Sequence, residues 1–263
     1  AGWLADYGVP LERFAAGLDG EIERLARTVP VDPAARAASG TAFLHDAMVD
    51  ARERLAKFCA PDGLLAQMRA RLAWAESVQR RSIDEHKDLW DATCRAIEEP
   101  DGQMVLAAYR GMVLAPQLGL VPLGPDPQSK LMEFYDLRSA DPSLPIPSRD
   151  PASGALQLGE HAGIVLVLVP ATKAWLGGQK DDSSAPCFDP SFDAAASVRN
   201  VAREVEIGAF FLGKHELTQS QWVRLGGVNR SGCRDGATRN DVVFTARHPV
   251  EMVSWFEGDQ LLG

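Results

Sequence analysis

Cysteine is scarce in this chain. Cys59, Cys94, Cys187 and Cys233 are widely spaced, with no Cys-x-x-Cys and no paired histidine. That pattern argues against a disulfide framework and favours a reducing, cytoplasmic setting. Excess basic charge is absent as well. The formal charge is −9, so nothing electrostatic draws the chain to nucleic acid or to anionic lipid. Long apolar runs are missing: the longest, Ile164 to Val169, falls far short of the ~20 residues that a membrane span needs. The opening AGWLADYGVP has neither the basic nor the apolar region of a signal peptide. Kinase motifs are missing too: no Gly-rich phosphate loop, no His-Arg-Asp, no Asp-Phe-Gly. The SRDP at 148–151 lacks the preceding His and the downstream Asn of a catalytic loop.

What is present reads as α+β, with three regions. Residues 1–108 read as helical. In TAFLHDAMVDARERLAKF, Leu44, Met48, Ala51, Leu55 and Phe58 recur at helical spacing and define one apolar stripe. APDG breaks that helix. A second, long helix is expected over about 64–98, its stripe running from Leu65, Met68, Leu72 and Ala75 to Ile83, His86, Trp90 and Ile97, with EEPDG ending it. His86 reads as a packed side chain, since no second His, Cys or carboxylate cluster accompanies it. Residues 109–160 alternate short apolar pieces with Pro and Gly, which predicts two or three short strands. The Pro- and Ser-rich RSADPSLPIPSRDPASG then predicts a linker or long surface loop.

From Gly163 the chain turns β-rich. GIVLVLVP predicts a strand buried on both faces. KDDSSAPCFDPSFD holds four aspartates, but their spacing fits no EF-hand loop, and a solvated loop is the preferred reading over a calcium site. The alternation of Val201, Arg203, Val205, Ile207 and Ala209 predicts a half-buried strand ending at Phe211. Thr218 to Gln221 is a capping box, with Trp222 and Leu225 facing the core and Gly226-Gly227 as a left-handed stop. The pattern recurs: a strand is expected over Val250–Val253, then a second capping box from Ser254 to Glu257, with Trp255 opening a helix.

On these residues the sequence resembles a known family. GIVLVLVPATKAWLGGQ, VEIGAFFLGKHELTQSQWVRLGG and HPVEMVSW resemble, in order, the first half of the formylglycine-generating enzyme, or sulfatase-modifying factor, domain. Lys214, Glu216, Thr218, Gln221, Trp222, His248, Pro249, Val250, Val253, Ser254 and Trp255 carry the resemblance, as structural motif positions. His215 stands where the family has Tyr, and Ala171-Thr172 where it has Gly-Gly. The resemblance covers residues 161–263 and implies the truncated first half of a C-type-lectin-like fold. It implies, for a complete and active domain, copper-dependent oxidation of a cysteine in a protein or peptide substrate to formylglycine, with structural calcium. The family's catalytic cysteine pair lies late in the domain, near Arg-Gly-Gly-Ser-Trp, a stretch this sequence does not contain. Cys187 and Cys233 match neither context, so the chain offers no catalytic, cofactor-binding or metal residue by this route. Residues 71–97 and 114–134 resemble the region between a Ser/Thr kinase domain and such a domain in large bacterial proteins, which implies a kinase domain upstream of Ala1. A noncatalytic peptide- or ligand-binding module of a kinase signalling protein is the alternative to the oxidoreductase. The start without Met and the stop at QLLG read as a piece of a longer protein. Its strands from Gly163 onward are expected to lack partners, giving aggregation or a loose C-terminal half.

Overall fold

A computed structural model describes residues 2–98, 106–109, 111–193 and 200–262. The chain divides into two compact units, Ala1–Val78 and Gln79–Gly263. This division does not coincide with the boundaries expected near 108 and 160.

The first unit is helical: α1 (Val9–Ala26), α2 (Pro33–Ala37), α3 (Gly40–Cys59) and most of α4 (Leu64–Ser82). Each start has a local cause. Pro10 sits in the first turn of α1, where its missing N–H costs nothing. Asp32 accepts from the Ala35 amide at 2.9 Å and Ser39 from the Ala42 amide at 3.3 Å, capping α2 and α3. α1 packs on α3, with Leu18, Leu25, Ala42 and Leu65 buried. The expected α3 stripe is only partly the buried face: Leu44 is exposed, and Ala42 is the fully covered position. The single long helix expected over 64–98 is two helices. α4 ends at Ser82, a short 3-10 turn follows at Asp84–His86, and α5 spans Lys87–Glu98. The stop expected at Pro100 lies outside the described residues.

The second unit is built on a four-stranded antiparallel sheet, in the order β1 (Leu120–Pro125), β2 (Met132–Asp136), β3 (Val165–Val169), β6 (Phe210–Gly213). Strand alternation sends Met132, Phe134, Leu166, Leu168 and Phe211 to one face. There they meet Trp90 and Ile97 of α5 and Tyr109 in one apolar cluster. Trp90 and Phe134 lie 5.6 Å apart, and Phe134 meets Phe211 edge-on at 5.2 Å. The polar tips of this core are all engaged. Trp90 Nε1 donates to the Ser82 carbonyl at 2.8 Å, and Ser82 Oγ accepts from the Gly119 amide at 3.0 Å. The Tyr109 hydroxyl accepts from the Met132 amide at 3.0 Å and donates to the Leu168 carbonyl at 2.6 Å, so it bridges the two strands beyond their last paired residues. Burial raises its pKa.

The strand expected from Val201 to Phe211 is two strands in different sheets. β5 (Arg203–Ile207) pairs with β4 (Thr172–Leu176), and β6 pairs with β3. Yet Val169 faces Phe210 and Thr172 faces Ile207, so the same register continues through the break. β3–β4 and β6–β5 are one bent ribbon whose far half leaves the main sheet. Most of that far half is exposed, Trp175 and Leu176 included. A small hairpin, β7 (Thr238–Arg239) with β8 (Val242–Val243), turns at Asn240 and Asp241. Both have positive φ, as a tight two-residue hairpin requires. The strand expected at Val250–Val253 does not form: Met252 has φ +57°, which breaks the extended run. α6 (Gln219–Arg224) and α7 (Trp255–Leu262) follow their predicted caps. The result is a mixed helical and sheet architecture with a helical N-terminal region. Among the described residues, no helix is long and apolar enough to cross a membrane.

Candidate functional site

The motif segment at 213–222 leaves the end of β6 and runs into α6. From Thr218 to Gln221 its polar side chains reach main chain. Thr218 Oγ1 accepts from the Gln221 amide at 3.3 Å, and Gln221 Oε1 accepts from the Thr218 amide at 3.0 Å, which completes the capping box. Gln221 Nε2 reaches the Ala162 carbonyl at 3.2 Å. Ser220 Oγ donates to the Glu160 carbonyl, and Arg224 Nε to the Ser139 carbonyl at 2.7 Å. Gln219 is 2% exposed; it donates to the Cys233 carbonyl and accepts from Asn229. Trp222 is buried, and its Nε1 donates to the Val228 carbonyl at 3.1 Å. A β-carbon on Gly227 would come within 2.3 Å of that nitrogen, so only glycine lets the chain turn back over the indole.

The HPV stretch docks against the same segment. Thr218 bridges Pro249, the Gln219 amide donates to the His248 carbonyl, and the Val250 amide donates to the Leu217 carbonyl. His248 Nδ1 lies 2.9 Å from the Thr245 amide nitrogen, and its ring lies 4.8 Å from that of Phe244. So Thr218, Gln221, Trp222, His248, Pro249 and Val250 come together as a clasp. Ser254 and Glu257 form the second box, with Glu257 Oε2 accepting from the Ser254 amide at 2.8 Å. Val253 is half-buried. Trp255 is not core, however: it is 74% exposed, with Phe256 against it.

Lys214 stands apart from the clasp. Its Nζ donates to Asp126 Oδ2 at 2.7 Å and also to Glu133 Oε1. Glu133 is fully buried on the sheet face opposite Phe134, and Arg149 Nη2 takes its other oxygen at 2.6 Å. Asp126 uses Oδ1 to hold the Gln128 and Ser129 amides of the β1–β2 turn. Two carboxylates and two cations thus make a neutral, largely desolvated quartet. The hydrogen bond from Lys214, helped by those turn groups, holds the Asp126 carboxyl well below the usual carboxylate range. Burial works against the Lys214 charge, but the hydrogen bonds to Asp126 and Glu133 outweigh it and raise its pKa. Through Arg149 the Pro-rich segment is strapped to the sheet; it is not a free linker. Sequence reasoning missed Asp126, Glu133 and Arg149. The signal was Glu133 as the lone carboxylate inside the apolar run LMEFY, which demands a buried cation.

Two cavities flank Lys214. One, about 530 Å³, lies between residues 158–165 and the motif segment, with Glu160, His215, Glu216 and Arg247 on its walls. The other, about 620 Å³, lies over the Glu133 face of the sheet, beside Val167, Val169 and Leu212. Leu158, Lys214 and His215 contribute to the walls of both. The four aspartate-loop carboxylates do not converge: Asp182 and Asp189 cap their own turns through Ser184 and Ser191. Among the described residues no three His, Cys, Asp or Glu side chains gather as metal ligands, and the four cysteines are free thiols. Comparison with protein-family models, with curated proteins and with solved structures returns no match.

Proposed function

We propose that residues 161–263 form part of a sulfatase-modifying-factor-type domain that serves here as a noncatalytic peptide-binding module. The kinase-associated setting of that module rests on the resemblance of residues 71–97 and 114–134. One observation carries the binding role. The motif's capping and clasp groups are all engaged by main chain, while Glu160, His215, Glu216 and Arg247 line an open cavity of about 530 Å³. Such a cavity, with a few convergent polar groups, suits a ligand of peptide size.

Fluorescence anisotropy with labelled peptides tests it. Saturable binding is expected, weakened by the Glu216→Ala and Arg247→Ala changes together. The oxidoreductase reading makes a different forecast. A peptide containing Cys-x-Pro-x-Arg, incubated with the chain, copper and dioxygen, would gain an aldehyde detectable by mass spectrometry. That product would replace the binding-module reading with the enzymatic one.

A further inference from the structure

The sheet ends at β6, and its outer edge is open. The Lys214 amide donates to the Val165 carbonyl at 2.8 Å, which fixes the parity of the antiparallel ladder. Leu212 and Phe210, opposite Val167 and Val169, therefore point their main-chain groups at β3. Phe211 and Gly213, opposite Leu168 and Leu166, point theirs away. No turn, loop or side-chain hydrogen bond among the described residues reaches those outward groups. The edge thus presents two N–H donors and two carbonyl acceptors at strand spacing. On one side of it, Leu212 is 55% exposed and opens onto the 620 Å³ cavity with Val167 and Val169.

We propose that an extended peptide adds to β6 as a fifth strand, pairing with Phe211 and Gly213 and laying alternate apolar side chains into the Leu212–Val167–Val169 cavity. This rests on the peptide-binding reading and gives it a mode. Strand addition takes affinity from main-chain bonds and selectivity from the alternate side-chain pockets. Charge decides the occupant. Glu204 and Glu206, which share Lys173 as an ion-pair partner at 3.7 Å, and Glu216 are exposed along and beyond the same ribbon, and the chain carries −9 overall. A second copy would bring the same charge to the edge, whereas a basic-flanked peptide is attracted. The occupant is therefore a segment of another protein with alternating apolar residues and Lys or Arg at its ends.

The probe is a labelled peptide of alternating valine and threonine with lysines at both ends. Its controls are the same peptide N-methylated on alternate backbone nitrogens and a version with glutamates at the ends. The whole chain is titrated with each. Losing the edge hydrogen bonds is expected to weaken binding by roughly tenfold or more, and the glutamate version binds more weakly still. Gly213→Pro removes one outward N–H without touching the ladder to β3, so it should bring the unmodified peptide to the methylated level. The methylated peptide keeps the test independent of any variant's folding. Equal affinity for the methylated and unmodified peptides overturns strand addition and leaves the binding-module reading standing. No binding of any peptide by a chain that stays monomeric overturns both. Concentration-dependent dimers abolished by Gly213→Pro, with no peptide bound, overturn the choice of occupant.

Discussion

Lys214→Met should destabilise the second unit sharply, because of what it leaves behind. Methionine keeps the length and apolar stem of lysine but removes the ammonium. Glu133, fully buried, then loses one of its two cations, and Asp126 loses its ion pair with Lys214. Breaking a buried pair from one side costs about 3–5 kcal/mol. Arg149 stays on Glu133 at 2.6 Å, so the low end, about 3 kcal/mol, is expected. Adding Glu133→Gln removes the stranded charge and should recover about 1–2 kcal/mol. Urea-dependent amide exchange at β2 and β3, followed by mass spectrometry, reads the second unit by itself. A loss below about 1 kcal/mol would mean that the quartet is no stronger than a surface pair, and the account would fail.

The pH dependence gives a second check on the same variant. Asp126 has a folded pKa below its unfolded value, so its share of stability is present above about pH 4 and is lost as the pH falls further. Lys214 has a folded pKa above its unfolded value, so its share is present below about pH 10 and is lost as the pH rises beyond that. The gap between the parent chain and Lys214→Met should therefore be widest between about pH 5 and 10 and should narrow at both ends. A gap that stays constant down to pH 2 would show that altered packing around the new thioether, not the lost charge, was responsible.

Three further outcomes follow from the clasp. Trp222→Ala should cost about 3–5 kcal/mol by cavity formation, read as faster amide exchange across α6. Thr218→Ala removes a cap that bridges two segments and should cost about 1 kcal/mol in a urea melt, while Ser254→Ala, on the exposed α7 box, should cost less. Gly227→Ala should destabilise measurably, since its β-carbon would meet the Trp222 nitrogen at 2.3 Å; an unchanged melting temperature would refute the close approach.

Much of the local grammar was legible in the sequence because its causes are local. Thr218, Gln221, Ser254 and Glu257 encode their caps within four residues, and the structure forms both boxes. Breaks set by backbone conformation were not legible. Nothing in EMVS marks Met252 for a positive φ, and that turn cancels the expected strand. The quartet was hidden for another reason. Its members come from four separated segments, so only the fold brings Arg149 and Lys214 to Glu133. Trp255 opens α7 as its position after the cap implies, but that position says nothing of burial, and the side chain stands 74% exposed.

The bent ribbon joins these lessons to the proposed binding mode. Alternation from Val201 to Phe211 gave the correct periodicity, and the register indeed runs unbroken from Leu176–Arg203 to Leu166–Gly213. What alternation could not show is that the ribbon changes partners along its length. Near β6 it is the margin of a packed sheet; beyond Gly208 it stands alone. A peptide strand laid along β6 would meet a rigid edge backed by Phe134 and the α5 core. The same peptide laid along β5 would meet a two-stranded ribbon with little behind it, and would have to order that ribbon at an entropic cost. Binding should therefore protect the Phe211 and Gly213 amides from exchange before those of β5. Protection that appears first at Val205 and Ile207 would place the docking edge on the wrong half of the ribbon.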